Sequence, residues 1–304
     1  MPTKTLTSQT DRKEIQATFK FGGGKNEITA IDDEVAGYGY IINAGGGDDT
    51  IFGSDFTGLG FSDPVFDPLT DDARTEFGDL LIGGMGSDSI VGGGGDDWIY
   101  GGNEDGSDGG KGKDPEVSNH LVGDTEFGSV DADDTVIFGS DHIFGGNGVD
   151  NTIYGDSNTL VLGADASFTG GIDIIQGGED STNLLYGDVA FGFNVSDPEA
   201  PLNITIGATF TGGGDIISGG AGTGILTAKN EIYGDAAGTV TMDANGTIGS
   251  DDVTLKGGDD TITGGMGADN TIYADFDNVS LRARLKSSID IAIPCETAGH
   301  QPDA

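Results

Sequence analysis

Between Arg74 and Gly102, large aliphatic residues return every nine positions, at Leu81, Ile90 and Ile99. An Asp stands two residues ahead of each, at Asp79, Asp88 and Asp97. Glycine pairs open successive units at Gly83–Gly84, Gly92–Gly93 and Gly101–Gly102. The last three residues of each unit predict a short strand whose aliphatic faces inward, because side chains alternate along a strand. The glycines ahead of it predict a tight turn, since they adopt positive φ and admit close backbone approach. One unit alone buries its aliphatic to little effect. Stacked units bury a column of them, so stability comes from neighbours.

The unit reads G-G-x-G-x-D-x-U-x, with U a large aliphatic. It resembles the RTX, or hemolysin-type calcium-binding, nonapeptide, which winds into a parallel β-roll around Ca²⁺. The resemblance covers residues 35–53 and 74–102 closely and 128–275 in degenerate form. The expected fold is all-β, a parallel β-roll or β-solenoid of Gly/Asp-rich repeats. The resemblance also implies several Ca²⁺ ions, each between stacked loops on one side of the roll. Ca²⁺ takes about 6–8 oxygens at ~2.3–2.6 Å, which suits carboxylates and inward-pointing carbonyls. On this reading the best ligands are Asp79, Asp88 and Asp97 with the carbonyls of Gly84, Gly86, Gly93 and Gly95. Asp49, Asp141, Asp150, Asp260 and Asp269 come second, with Gly146, Gly148, Gly265 and Gly267 at matching glycine positions.

The first metal-type loop is AGGGDDTIF at 44–52, with Asp49 in the ligand position and Ile51 in the core position. The unit before it, VAGYGYIIN, has Tyr40 where Asp belongs. Residues 54–73 break the register and contain Pro64 and Pro68, which lack the donor a strand ladder needs. Residues 103–118 are glycine-rich and charged. Both stretches read as loop insertions.

From Asn119 a longer repeat takes over. NHLVGD, NTIYGD, NLLYGD, NEIYGD and NTIYAD begin at Asn119, Asn151, Asn183, Asn230 and Asn270. Ahead of the last four lies Asp-x-Ile-x-Gly-Gly, starting at Asp141, Asp173, Asp215 and Asp260. Alternating stretches such as SNTLVLGADASFTGG have strand periodicity. Asp150 and Asp269 keep the nine spacing, yet the strand after them is phased to Asn151 and Asn270, as if one residue were inserted in a bulge. The Asn residues fit either a weak metal ligand or a stacked amide ladder. These turns read as more structural, with fewer or weaker metal sites than the 74–102 block.

The chain thus divides into an N-terminal cap (1–34), a calcium-binding roll with insertions (35–118), a degenerate supra-repeat solenoid (119–275), and closing strands with a tail (276–304). Short strands are expected at Ala17–Phe21 and Glu27–Ile31, although Asp11–Thr18 also fits a short helix. NVSLRARL and SIDIAIP supply the alternation for the closing strands.

Composition sharpens this picture. The 304 residues include 57 Gly, and the 52 acidic residues are 41 Asp against 11 Glu. Asp is a poor helix former, so that excess points to turns and oxygen ligands. Residues 26–281 hold 47 acids against 5 bases, a segment that repels itself when stripped of cations and repels nucleic acid. The single Cys295 excludes an intrachain disulfide. No run of about 18 apolar residues predicts a membrane span. The N-terminus lacks the apolar core of about 7–15 residues that marks a cleaved signal peptide.

His120, His142 and His300 fit no His-Glu-x-x-His motif, and no Gly-x-Ser-x-Gly elbow is present. His120 and His142 read as surface residues, and Trp98 as a lone outward aromatic. A non-catalytic, secreted calcium-binding module that folds on Ca²⁺ binding is the expectation. A cell surface or a polysaccharide is its candidate partner. The resemblance implies export through type I secretion machinery. The C-terminal end departs from the family's secretion-signal pattern, so a folding module of a larger toxin or enzyme is the alternative. A β-solenoid polysaccharide lyase or epimerase is a further one.

Overall fold

A computed structural model describes residues 3–6, 18–20, 24–30, 41–53, 78–103, 117–131, 133–163, 165–191, 194–195, 209–222, 228–237, 241–242, 254–274 and 276–277. It is all-β, and its strands stack in parallel sheets as the turns of a β-solenoid. Among the described residues no helix is long and apolar enough to cross a membrane. The loop insertion at 54–73, most of 103–118, the candidate helix segment 11–17 and the expected closing strands after 277 lie outside the described residues.

Two sheets run the length of the coil. Sheet I has nine strands: Thr3–Leu6, Glu27–Ala30, Thr50–Phe52, Ser89–Val91, Ser118–Val122, Asp150–Tyr154, Thr182–Tyr186, Ala228–Tyr233 and Ala268–Tyr273. Sheet II has eight: Thr18–Lys20, Ile41–Gly46, Leu80–Met85, Trp98–Tyr100, His142–Phe144, Ile174–Gln176, Ile216–Ser218 and Thr261–Thr263. As far as Tyr100 the described strands alternate between these sheets, so a turn is two nonapeptides. From Ser118 onward each turn gains two sides. Sheet III is built from Thr125–Val130, Ser157–Leu162, Val189–Phe191, Ala236–Ala237 and Phe276–Asp277. Sheet IV is built from Thr135–Ile137, Ser167–Thr169, Thr209–Thr211 and Thr254–Lys256. The alternating stretches of the supra-repeat are these added strands.

Register places like residues over like. Ile99 pairs with Ile143, which pairs with Ile175, which pairs with Ile217. On the facing sheet, Leu121, Ile153, Leu185 and Ile232 follow one another. Together with Ile28, Ile42, Ile51, Leu81 and Ile90 they form one continuous core column. Each fully buried aliphatic contributes about 1.5–3 kcal/mol, and no single turn buries enough of them to stand alone. In the four-sided section Phe168 stacks on Phe210 at 4.7 Å and meets Phe138 edge-on at 5.3 Å. On the opposite face of sheet I, Tyr154, Tyr186, Tyr233 and Tyr273 stack with centroids 5.0, 4.9 and 4.7 Å apart.

Trp98 corrects the reading from the sequence. Alternation from Ile99 points it out of the coil, yet it is only 6% exposed. Its ring lies parallel to that of His142, 4.3 Å away, in a cluster with Leu80, Ile82, Tyr100 and Phe144. His142 is therefore not an ordinary surface residue, and burial lowers its pKa to about 4. His120 is half-buried and meets Glu126 at 2.8 Å.

Candidate metal centre

The glycines of the nonapeptide loops do what their spacing predicts. Gly45, Gly47, Gly84, Gly86, Gly93 and Gly95 all have positive φ, between 95° and 125°. The loop 45–49 stacks directly on 84–88. A Cβ on Gly84 would stand 2.2 Å from the Gly45 carbonyl oxygen, and one on Gly86 2.1 Å from that of Gly47. Only glycine permits both that φ and that approach.

Two interior columns continue from these loops. At the entry to sheet I the column runs Asn26, Asp49, Asp88, Asn119, Asn151, Asn183, Asn230, Asn270. The amide of Asn26 donates to Asp49 Oδ1 at 2.7 Å, that of Asp49 to Asp88 Oδ1 at 2.9 Å, and that of Asp88 to Asn119 Oδ1 at 3.1 Å. Beyond that point the side chains bond one another. Asn119, Asn151, Asn183 and Asn230 each donate Nδ2 to the next Oδ1, at 3.3, 2.9, 2.8 and 2.8 Å. The carboxamide of Asn151 also accepts from the Gly146 amide and donates to the Gly146 carbonyl, and Asn270 does the same at Gly265. The amide ladder is thus the role these Asn residues fill. It occupies the Gly146 and Gly265 carbonyls.

At the entry to sheet II the column is all Asp: Asp79, Asp97, Asp141, Asp173, Asp215, Asp260. Each backbone amide donates to Oδ1 of the next, at 2.6, 2.6, 2.7, 2.8 and 2.9 Å. Of the residues singled out from the sequence, Asp49, Asp79, Asp88, Asp97, Asp141 and Asp260 therefore stand in the two columns. Asp150 and Asp269 do not. They precede the Asn that enters the column, and Asp269 is exposed. Gly148 and Gly267 share the left-handed turn, with φ of 75° and 69°.

A third column was not singled out. Asp124, Asp156, Asp188 and Asp235 close the NxIYGD motifs at the corner between sheets I and III, and all are buried. Their Oδ1 atoms accept the amides of Gly139, Gly171, Gly213 and Gly258 at 3.1, 3.1, 3.0 and 2.8 Å, across the interior. The signal was the fivefold return of that Asp, which reads equally well as a turn residue.

The electrostatics of the columns are unusual. Asp97, Asp124, Asp141, Asp156, Asp173, Asp188 and Asp215 are all buried. Burial pushes all seven carboxyls up, Asp215 to about 9. Neighbouring carboxylates push the same way: Asp79 on Asp97, Asp173 on Asp156, Asp215 on Asp188. Burial also raises Asp49, against hydrogen bonds from Asn26. Oδ2 of Asp49, Asp97, Asp141, Asp156, Asp173, Asp188 and Asp215 has no hydrogen-bond partner. An uncompensated buried ion carries a penalty on the order of several kcal/mol. The donors on offer are hard oxygens, which fit Ca²⁺ and not a soft metal. Among the described residues no three His, Cys, Asp or Glu side chains group into a metal site.

No protein-family model, curated protein or solved structure matches this chain.

Proposed function

We propose that this protein is a calcium-binding repeat module that assembles its solenoid as it loads Ca²⁺, and that it serves a structural or surface role without catalysis. The observation that carries the reading is the stacked pair of loops 45–49 and 84–88. Its glycines are held in the left-handed region, and Asp49 presents a buried carboxylate oxygen with no hydrogen-bond partner. A hard divalent cation supplies what such a loop lacks. Asp49 and Asp88 with the carbonyls of Gly84 and Gly86 are the residues assigned to hold it, and Asp79 and Asp97 with the carbonyls of Gly93 and Gly95 are assigned to a second ion at the entry to sheet II.

Coupling to folding follows from charge. The segment 26–281 carries 47 acids against 5 bases, so the metal-free chain repels itself and cation binding is folding free energy. A chain kept loose at low intracellular Ca²⁺ and folded outside the cell suits export before folding. Far-UV circular dichroism of the purified chain through a Ca²⁺ titration, with Mg²⁺ alone as control, tests the reading. A cooperative gain of β signal specific to Ca²⁺ is expected. A spectrum already β in chelator and indifferent to Ca²⁺ rejects coupled folding.

A further inference from the structure

We propose that the four-sided section also holds a file of divalent-cation sites along its interior, between the column Asp124–Asp156–Asp188–Asp235 and the facing column Asp141–Asp173–Asp215–Asp260. The ion class is that of the proposed loop sites, but the residues are those of the supra-repeat, most of them outside the nonapeptide motif.

Geometry is the first argument. Each turn brings two carboxylates to face one another from opposite corners. In the second four-sided turn Asp156 Oδ1 accepts the Gly171 amide at 3.1 Å, and Asp173 Oδ1 accepts the Asp141 amide at 2.7 Å. The next turn repeats this with Asp188 and Gly213 at 3.0 Å and with Asp215 and Asp173 at 2.8 Å. One oxygen of each carboxylate is so fixed. The second oxygens of Asp141, Asp156, Asp173, Asp188 and Asp215 are buried and have no hydrogen-bond partner.

These free oxygens point across the interior. Asp173 Oδ2 would lie 2.0 Å from a Cβ on Gly155, the residue before Asp156, and Asp215 Oδ2 2.1 Å from one on Gly187, the residue before Asp188. Asp156 Oδ2 would lie 2.9 Å from a Cβ on Gly170, and Asp188 Oδ2 3.0 Å from one on Gly212. Glycine at these corners leaves the space to the carboxylates.

The second argument is a comparison within the fold. At the entry to sheet I the chain uses Asn, which donates and accepts and so satisfies itself from turn to turn. At the two other columns it uses Asp, which when ionised only accepts, and the second oxygens of Asp141, Asp156, Asp173, Asp188 and Asp215 have no hydrogen-bond donor. The charges acting on these groups are other carboxylates. Two facing carboxylates in each turn match the charge of one divalent cation, and an all-oxygen donor set selects a hard one.

Native mass spectrometry of the full chain in Ca²⁺ counts bound ions and separates this inference from the loop reading. The double variant Asp156→Asn/Asp188→Asn keeps shape and the Oδ1 acceptor but removes two charges. It should bind fewer Ca²⁺ ions than the parent, while Asp49→Asn/Asp88→Asn loses a different set. An unchanged count in Asp156→Asn/Asp188→Asn overturns the interior file and leaves the loop sites to stand or fall on the Asp49→Asn/Asp88→Asn result. Should the first variant not fold, infrared spectroscopy of the unmodified Ca²⁺-loaded chain at neutral pH decides. Ionised carboxylate bands alone support the file. The carbonyl stretch of protonated carboxyls shows that protons occupy it instead, and rejects it.

Discussion

The backbone amide of Asp88 donates to Asn119 Oδ1 at 3.1 Å, and at that step the column at the entry to sheet I changes from carboxylate to carboxamide. The change coincides with a change of cross-section. The turn below holds two strands per turn with Asp in both columns. From Asn119 the turn holds four or five, the sheet I column is neutral, and Asp124 opens a new acidic column at the added corner. Negative charge is thus moved within the turn rather than lost, from the loop side to the enclosed side.

If the Asn residues form a self-satisfied ladder, Asp is a poor substitute for them. Asn183 Nδ2 donates to Asn230 Oδ1 at 2.8 Å and to the Gly178 carbonyl at 3.0 Å. Asn183→Asp sets an acceptor against both and leaves an uncompensated buried charge, so a loss of about 3–5 kcal/mol is expected. Asn183→Ala should lose about 1–3 kcal/mol through unsatisfied partners. Urea denaturation in saturating Ca²⁺ measures both. A rise in Ca²⁺ affinity for Asn183→Asp would instead assign the amides to a metal.

Glycine substitutions separate tight turns from roomy ones. Gly86 has φ of 125° and faces the Gly47 carbonyl, where a Cβ would lie at 2.1 Å. Gly86→Ala should destabilise by roughly 1–3 kcal/mol from backbone strain, with added loss from displaced stacking. A Cβ on Gly214 meets nothing nearer than 3.6 Å, so Gly214→Ala should be neutral within about 0.5 kcal/mol. Equal effects on the thermal midpoint at the two positions would contradict the stacking of loops 45–49 and 84–88.

Much of this architecture was legible because period and register coincide. Leu81, Ile90 and Ile99 at nine-residue spacing are the inward positions of successive strands, and the five motifs that begin at Asn119, Asn151, Asn183, Asn230 and Asn270 mark one sheet I strand each. What escaped is set by the third dimension. An amide oxygen suits a ligand and a ladder alike, and only the stacking of Asn151 on Asn183 shows where the Nδ2 donor goes. Asp156 follows a glycine, as turn residues do, and nothing local shows that its corner closes inward. Trp98 obeys alternation and points away from the core column, but alternation says nothing of what packs on the outer face.

The buried carboxyls predict an inverted pH dependence in the metal-free chain. Asp97, Asp124, Asp141, Asp156, Asp173 and Asp188 are held well above their ordinary 3.8, and Asp215 at about 9. A group raised on folding binds more protons folded than unfolded, so stability falls as pH climbs from about 4 through the raised values. His142 acts oppositely between about 4 and 6.5, as one group against seven. In chelator the folded fraction, read as β signal by circular dichroism, should therefore rise as pH is lowered from 8 toward about 4.5. In saturating Ca²⁺ the trend should reverse, because protons compete with the ion for the same oxygens. A chelated chain that loses stability on mild acidification would contradict the buried placement of these carboxyls.

Trp98 is the only tryptophan, and it follows Asp97 directly, so it reports on the loop most closely tied to the proposed ions. Its ring is sandwiched in a buried cluster, 4.3 Å from His142 and 5.9 Å from Phe144. Trp98→Ala should then lose about 3–5 kcal/mol, the range for a large aromatic removed from a packed site. A lone surface aromatic would lose no more than about 0.5 kcal/mol. The same burial predicts short-wavelength emission in the Ca²⁺ form and a red shift on chelation as the Asp97 loop opens. His142 stays neutral down to about 4, so acid quenching of this emission by the imidazolium should begin only near that pH. Quenching near the ordinary histidine value of 6.5 would place His142 in solvent and dissolve the stack.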